Sequence, residues 1–151
     1  DLNLGRSTNF QYKNWNLDIF FTGVFGQDIY NATAEQYSNV SFVKEGRNVL
    51  KSVATEHRAS DTQSQAPSNR WIENGSYFRL SSVSLGYTFG KIGSWINSLK
   101  LNATCNNVFT ITGYSGRDPE INLGGLEPGM DRRTNYYPRT RSFMSGLTVN
   151  F

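Results

Sequence analysis

The sequence predicts an all-β fold, about five strands of an antiparallel transmembrane β-barrel, from three observations. Five stretches alternate apolar and polar residues with period two, as strands with distinct faces must. The connections between them alternate strictly between short and long. Aromatic residues gather at both ends of the alternating apolar face, with aliphatic residues between them.

In chain order, the first alternating stretch is short, about Ser7 to Tyr12. The second runs from Trp15 to Phe25. Trp15, Leu17, Ile19, Phe21, Gly23 and Phe25 share one face; Asn16, Asp18, Phe20, Thr22 and Val24 share the other. The third runs from Tyr77 to Phe89, with Val83, Leu85, Tyr87 and Phe89 opposed by Ser82, Ser84, Gly86 and Thr88. The fourth runs from Leu99 to Ile111. Leu99, Leu101, Ala103, Cys105, Asn107, Phe109 and Ile111 lie opposite Lys100, Asn102, Thr104, Asn106, Val108 and Thr110. The last runs from Arg141 to Phe151, with Phe143, Ser145, Leu147, Val149 and Phe151 on its apolar face.

Lys13-Asn14 is a tight turn, residues 26–76 form a very long connection, 90–98 a short one and 112–140 a long one. An outer-membrane barrel has short periplasmic turns and long extracellular loops, so the last strand is expected to end at the periplasmic side. Trp15, Tyr87, Phe89 and Phe151 then form a periplasmic girdle, and Phe25, Tyr77, Phe109 and Phe143 an extracellular one. A soluble β-sandwich would explain the period, with the apolar face on a protein core. It would not explain the alternating connections or the paired aromatic belts.

Composition narrows the function classes. Aromatics make up 14% of residues and Gly outnumbers Pro by 14 to 4, which favours strands over disorder. The longest near-apolar stretch, Ile19 to Phe25, is far short of the ~20 residues of a membrane helix. A net charge of +3 with dispersed cations does not make a nucleic-acid face, so no nucleic-acid partner is expected. The single Cys105 excludes an internal disulfide and a cysteine-rich zinc site, and no metal or other cofactor is expected. The chain begins Asp1-Leu2-Asn3 without a leader, so it is expected to be one part of a longer or split polypeptide.

Few residues suggest catalysis, and no enzyme activity is expected. Asp118 and Glu120, beside Arg117, resemble a carboxylate pair, but no partner base accompanies them. Loop hydrogen bonding accounts for them better than glycosidase chemistry, which sets its two carboxyls across a bond. His57 stands alone in a polar loop, and Cys105 sits mid-strand on the apolar face. The cluster Arg132, Arg133, Arg139 and Arg141 suits either solvated loop charge or anionic lipopolysaccharide phosphates. Loop aromatics are the better ligand candidates, because sugar rings stack on Trp and Tyr: Trp71, Tyr114, Tyr136 and Tyr137 qualify by type and position. The alternative is that they stitch loops together. Spaced apolar residues (Tyr37, Val40, Val43, Val49, Leu50 and Val53) in the loop from Asn31 to Val53 point to a short helix there.

Arg70-Trp71-Ile72-Glu73-Asn74-Gly75-Ser76-Tyr77-Phe78-Arg79-Leu80, followed by Val83-Ser84-Leu85-Gly86-Tyr87, resembles a signature of the SusC/RagA-type TonB-linked outer-membrane proteins. So do Gly26-Gln27-Asp28-Ile29-Tyr30-Asn31, Asn106-Asn107-Val108-Phe109-Thr110 with Tyr114-Ser115-Gly116-Arg117-Asp118-Pro119-Glu120, and Tyr136-Tyr137-Pro138-Arg139-Thr140-Arg141. Asn74 stands where Asp is usual and Phe78 where Leu is usual. The resemblance implies that residues 1–151 are the C-terminal strands of a plugged barrel of about 22 strands. It implies TonB-dependent import of oligosaccharides or peptides across the outer membrane of Bacteroidetes. The implied partners are the rest of the barrel and its plug, a SusD-like surface lipoprotein, TonB through an N-terminal part, and lipid or lipopolysaccharide. It also implies that Phe151 is an assembly signal. A siderophore or vitamin receptor and a non-transporting structural barrel are the rival expectations; the Arg70–Tyr87 motif argues against the first.

Overall fold

The computed structural model describes residues 2–51, 67–121, 129–131 and 137–151. Two compact units emerge. One comprises the segments ending at Phe25, Tyr77–Thr112 and Arg139–Phe151; the other comprises Gly26–Ser76 and Gly113–Pro138.

The first unit is one antiparallel sheet of five strands: β1 (Leu2–Tyr12), β2 (Trp15–Phe25), β5 (Tyr77–Phe89), β6 (Ser98–Thr112) and β7 (Ser142–Asn150), hydrogen-bonded in that order. β2 and β5 have the bounds expected from periodicity, and β6 and β7 differ by a residue or two. β1 is longer than expected, beginning at Leu2 instead of Ser7. The register explains why its first half was illegible: Arg6 pairs with Phe21 on the apolar face and interrupts the alternation there. The Lys13-Asn14 turn closes between the paired Tyr12 and Trp15 with Lys13 at φ 51°, the positive dihedral that a two-residue hairpin takes to match strand twist.

Neither face of this sheet has a second layer within its unit. The buried apolar residues among those described are Ile29, Tyr77 and Tyr114, and only Tyr77 belongs to the sheet. Leu4, Phe10, Tyr12, Trp15, Leu101 and Leu147 are all 44–69% exposed. A sandwich would bury that face against another sheet. On the apolar face, Tyr12, Trp15, Tyr87 and Leu101 are successive partners across four strands. Trp15 meets Tyr87 edge-on at 4.7 Å, and Tyr87 meets Phe89 at 4.6 Å, an aromatic cluster at the short-turn end. The other face is mostly polar, with Phe20, Val24 and Met144 among its exceptions. Ser84 and Thr104 hydroxyls lie 2.8 Å apart, and Asn9, Asn16 and Asp18 hydrogen-bond to one another.

A bulge corrects one face assignment. Phe20 pairs with Ser82, but Phe21 pairs with Leu80, leaving Ser81 as an extra residue in β5. One extra residue exchanges the two faces beyond it. Phe78 and Leu80 therefore join the apolar face, where Phe78 stacks on Phe21 at 5.4 Å. Tyr77, expected in the extracellular girdle, lies instead on the polar face with Arg79, and both are buried. Ser81 faces the same way, its hydroxyl 2.7 Å from that of Thr22. β6 answers this irregularity with Asn107 at φ 51°, a left-handed conformation that Asn adopts more readily than most residues.

The second unit carries the two long connections, and the first of them has structure of its own. It contains β3 (Asp28–Tyr30), α1 (Ala32–Tyr37), α2 (Ser41–Lys44), a 3₁₀ turn (Asn69–Trp71) and β4 (Ile72–Asn74), with β3 and β4 antiparallel. The one short helix expected between Asn31 and Val53 is thus two short helices, the first starting at Ala32. Asn31 caps α1 by accepting from Ala34 N–H at 2.8 Å.

Candidate functional site

Three of the family-like segments, Gly26–Asn31, Arg70–Ser76 and Tyr114–Glu120, lie together in the second unit. Asn31, 2% exposed, is its hub. While its carbonyl oxygen caps α1, its amide nitrogen donates to Glu73 Oε1 at 2.9 Å and to Ser115 Oγ at 3.2 Å. Ser115 also donates to Glu73 through its backbone N–H (2.8 Å) and its hydroxyl (2.7 Å). Three segments, 42 and 84 residues from the hub, are tied together by one carboxylate and one amide. A buried amide costs stability unless its donors and acceptor are matched, and here they are.

A second node lies at Asp131. Its carboxylate accepts from Tyr114 Oη at 3.0 Å and Thr33 Oγ1 at 3.0 Å, and its backbone N–H donates to Tyr30 O at 2.9 Å. Gln27 Nε2 donates to the carbonyls of Gly75 (2.6 Å) and Pro119 (3.2 Å). Gly75 is required by close approach, because a Cβ there would overlap the Ile29 side chain. Tyr30 donates to Glu35 Oε2 at 2.8 Å; burial and then this bond raise its phenol above the ordinary value.

The expected ligand residues fall into different settings. Tyr114 is 6% exposed, with its hydroxyl engaged by Asp131. Trp71 is half-buried, with the Arg70 guanidinium 4.7 Å from its ring centroid, and its carbonyl accepts from Asn31 N–H. Tyr137 is 86% exposed. Tyr136, like His57, Arg132 and Arg133, lies outside the described residues. Phe151 is 85% exposed, one residue beyond β7. Asp118 is buried and accepts from the Glu120 backbone N–H at 3.0 Å, a local loop bond. Cys105 sits between Val83 and Phe143 on the apolar face. Arg141 is not simply solvated loop charge: its guanidinium donates to the Val108 carbonyl beside the β6 irregularity. Asn107 donates to Thr140 O at 2.8 Å. Periodicity misses the Asn31, Glu73, Ser115 and Asp131 nodes, since their partners are remote in sequence. An Asn immediately before a helix is the one local signal.

A groove on the first unit is lined by Trp15, Leu85, Tyr87, Phe89, Leu101 and Leu147, with Asn102 and Ser145 as its polar side chains. It lacks the converging polar groups of a small-molecule site and is part of the apolar face. No set of three potential metal ligands occurs among the described residues. No described helix is long and apolar enough to cross a membrane.

A single-layer antiparallel sheet with one uncovered apolar face, one hydrogen-bonded polar face and alternating short and long connections is a section of a transmembrane β-barrel. The chain is 32% identical over 168 residues to TonB-dependent receptor P39 of Formosa agariphila, covering 97% of this chain and 16% of that protein. It is 28% identical over 160 residues to TonB-dependent receptor SusC of Bacteroides thetaiotaomicron, covering all of this chain and 15% of that one. Its fold matches the RagAB peptide importer in the 'open-open' state with a TM-score of 0.69 at 20% identity, over 99% of this chain and 17% of that one. In the 'closed-closed' state the TM-score is 0.68 over 96% of this chain. No family model matches the chain. It spans 16% of the length of the Formosa receptor. Along its whole length the chain is SusC/RagA-like in sequence, and its fold is that of the RagA-type barrel.

Proposed function

We propose that the chain supplies the closing, C-terminal strands of a TonB-dependent outer-membrane importer of oligosaccharides or peptides. The carrying observation is whole-length likeness to TonB-dependent receptors in a sheet whose apolar face has no protein cover. A larger barrel would seal the free edges of β1 and β7 and leave that face to lipid. In this arrangement the long connections are extracellular and β7 descends to the periplasmic side, with Phe151 as the tip recognised during assembly. The chain acts by building wall and loops, not by bond chemistry. A plug and TonB supply gating and energy from elsewhere in the polypeptide and the envelope, and a SusD-like lipoprotein supplies the lid. Among the loop aromatics, exposure favours Tyr137 as a substrate contact and leaves part of Trp71 available, whereas Tyr114 serves the network.

The test uses the full-length protein in its native host. Deletion should abolish growth on a glycan or peptide mixture that the parent uses, and a TonB deletion should match it. Affinity purification should recover a surface lipoprotein, and mass spectrometry of the purified complex should detect retained oligosaccharide or peptide. Retention of an iron chelate or corrinoid instead would select the siderophore or vitamin reading. Unchanged uptake of every nutrient would select the structural barrel.

A further inference from the structure

The apolar face of β1 and β2 contains a groove lined by Leu4, Phe10, Ile19, Phe21 and Phe78. Two polar side chains interrupt its β1 wall, Arg6 and Thr8, paired with Phe21 and Ile19 and so on the same face. Arg6 is exposed and has neither an ion pair nor a side-chain hydrogen bond to any described residue. Its row continues through Phe21, Leu80 and Phe109, which places it nearer the long-connection end of the strands than the short-turn end. On the proposal above that this face meets lipid, a bare guanidinium there is costly, and long basic side chains near a rim relieve that cost by reaching for the interface. The other residues of β1 on this face are Leu2, Leu4, Thr8, Phe10 and Tyr12, so Arg6 is its one cation.

We propose that this groove binds one phosphate-bearing anionic lipid of the outer leaflet, with acyl chains running inward along Phe10, Ile19 and Phe21 and the phosphate on Arg6. The occupant follows from charge complementarity joined to an uncovered apolar channel. Guanidinium matches phosphate geometry with paired donors and is weakly hydrated, so it retains a phosphate where an ammonium holds it less specifically. Thr8, two residues along the same face, places a second donor beside it.

The experiment uses the full-length protein purified in detergent, with native mass spectrometry to count bound lipid. The probes are phosphatidylglycerol, phosphatidylcholine of identical chains, and lipid A. Wild type should retain one anionic lipid in preference to phosphatidylcholine, with lipid A retained best. Arg6→Leu should weaken that preference about fivefold, the contribution of one basic residue at an anionic surface, and Arg6→Lys should keep part of it. Equal retention of all three lipids by wild type, or an unchanged preference in Arg6→Leu, overturns the proposal. So does a double-mutant cycle that couples Arg6 to an acidic side chain of the strand pairing with the free edge of β1. A full-length protein that stays soluble without detergent would overturn the membrane reading itself; a membrane protein without lipid preference would overturn only the lipid site.

Discussion

At the residue scale, the two faces of the sheet make opposite demands on a charge. Leu101 is 44% exposed on the apolar face, while its neighbour Asn102 lies on the polar face between Gly86 and Gly146. Leu101→Arg should reduce folding stability in lipid vesicles by about 2–4 kcal/mol, as charges do at the midplane of such barrels, and Asn102→Arg by much less. Urea titration of the full-length protein into matched vesicles measures both; equal losses would contradict the face assignment. The loops test packing in a different way. Gly75→Ala drives a methyl into Ile29, which is 1% exposed and has little room to yield. It should cost on the order of 1–3 kcal/mol and loosen the loops before the sheet, a difference that protease sensitivity of the long loops on intact cells would register.

At the element scale, the irregularity shared by β5 and β6 sets which residues line which face. Asn107→Val and Asn107→Gly both lose the hydrogen bond to Thr140, but Val should cost about 1–2 kcal/mol more, because a β-branched residue resists the left-handed conformation that Gly adopts freely. Denaturation midpoints of the two variants make the comparison, and equal midpoints would remove the strain argument. The same irregularity marks the limit of what periodicity discloses. Alternation located β2 and β5 to the residue: Val83–Phe89 never breaks step, and in Trp15–Phe25 only Phe20 and Val24 are apolar on the polar face. It could not register an extra residue within Ser81-Ser82, two like side chains, so Tyr77 was placed on the wrong face. It also lost the first half of β1 to Arg6, the residue that does not suit that face. The hydrogen-bond hub at Asn31, Glu73 and Ser115 was visible only as family-like motifs. Its order comes from contacts between segments far apart in the chain, which no local pattern encodes.

At the scale of the whole molecule, both outer edges of the sheet are unpaired among the described residues and one face is apolar, as in a section of a closed barrel wall. If Phe151 is the tip read in assembly, its deletion should leave the β6–β7 pairing intact, since that register ends at Asn150. It should nevertheless sharply lower the amount of full-length protein in the outer membrane; normal surface levels would reduce Phe151 to one more exposed aromatic. The most direct test of the account is sidedness. Cysteine is placed at Lys44, in the first long connection, or at Ser94, in the short one, in a full-length Cys105→Ala background. An impermeant maleimide should label the Lys44→Cys protein on intact cells, and the Ser94→Cys protein only after the outer membrane is breached. Labelling of both on intact cells, or the reverse order, would contradict a barrel wall with long loops outside and short turns within.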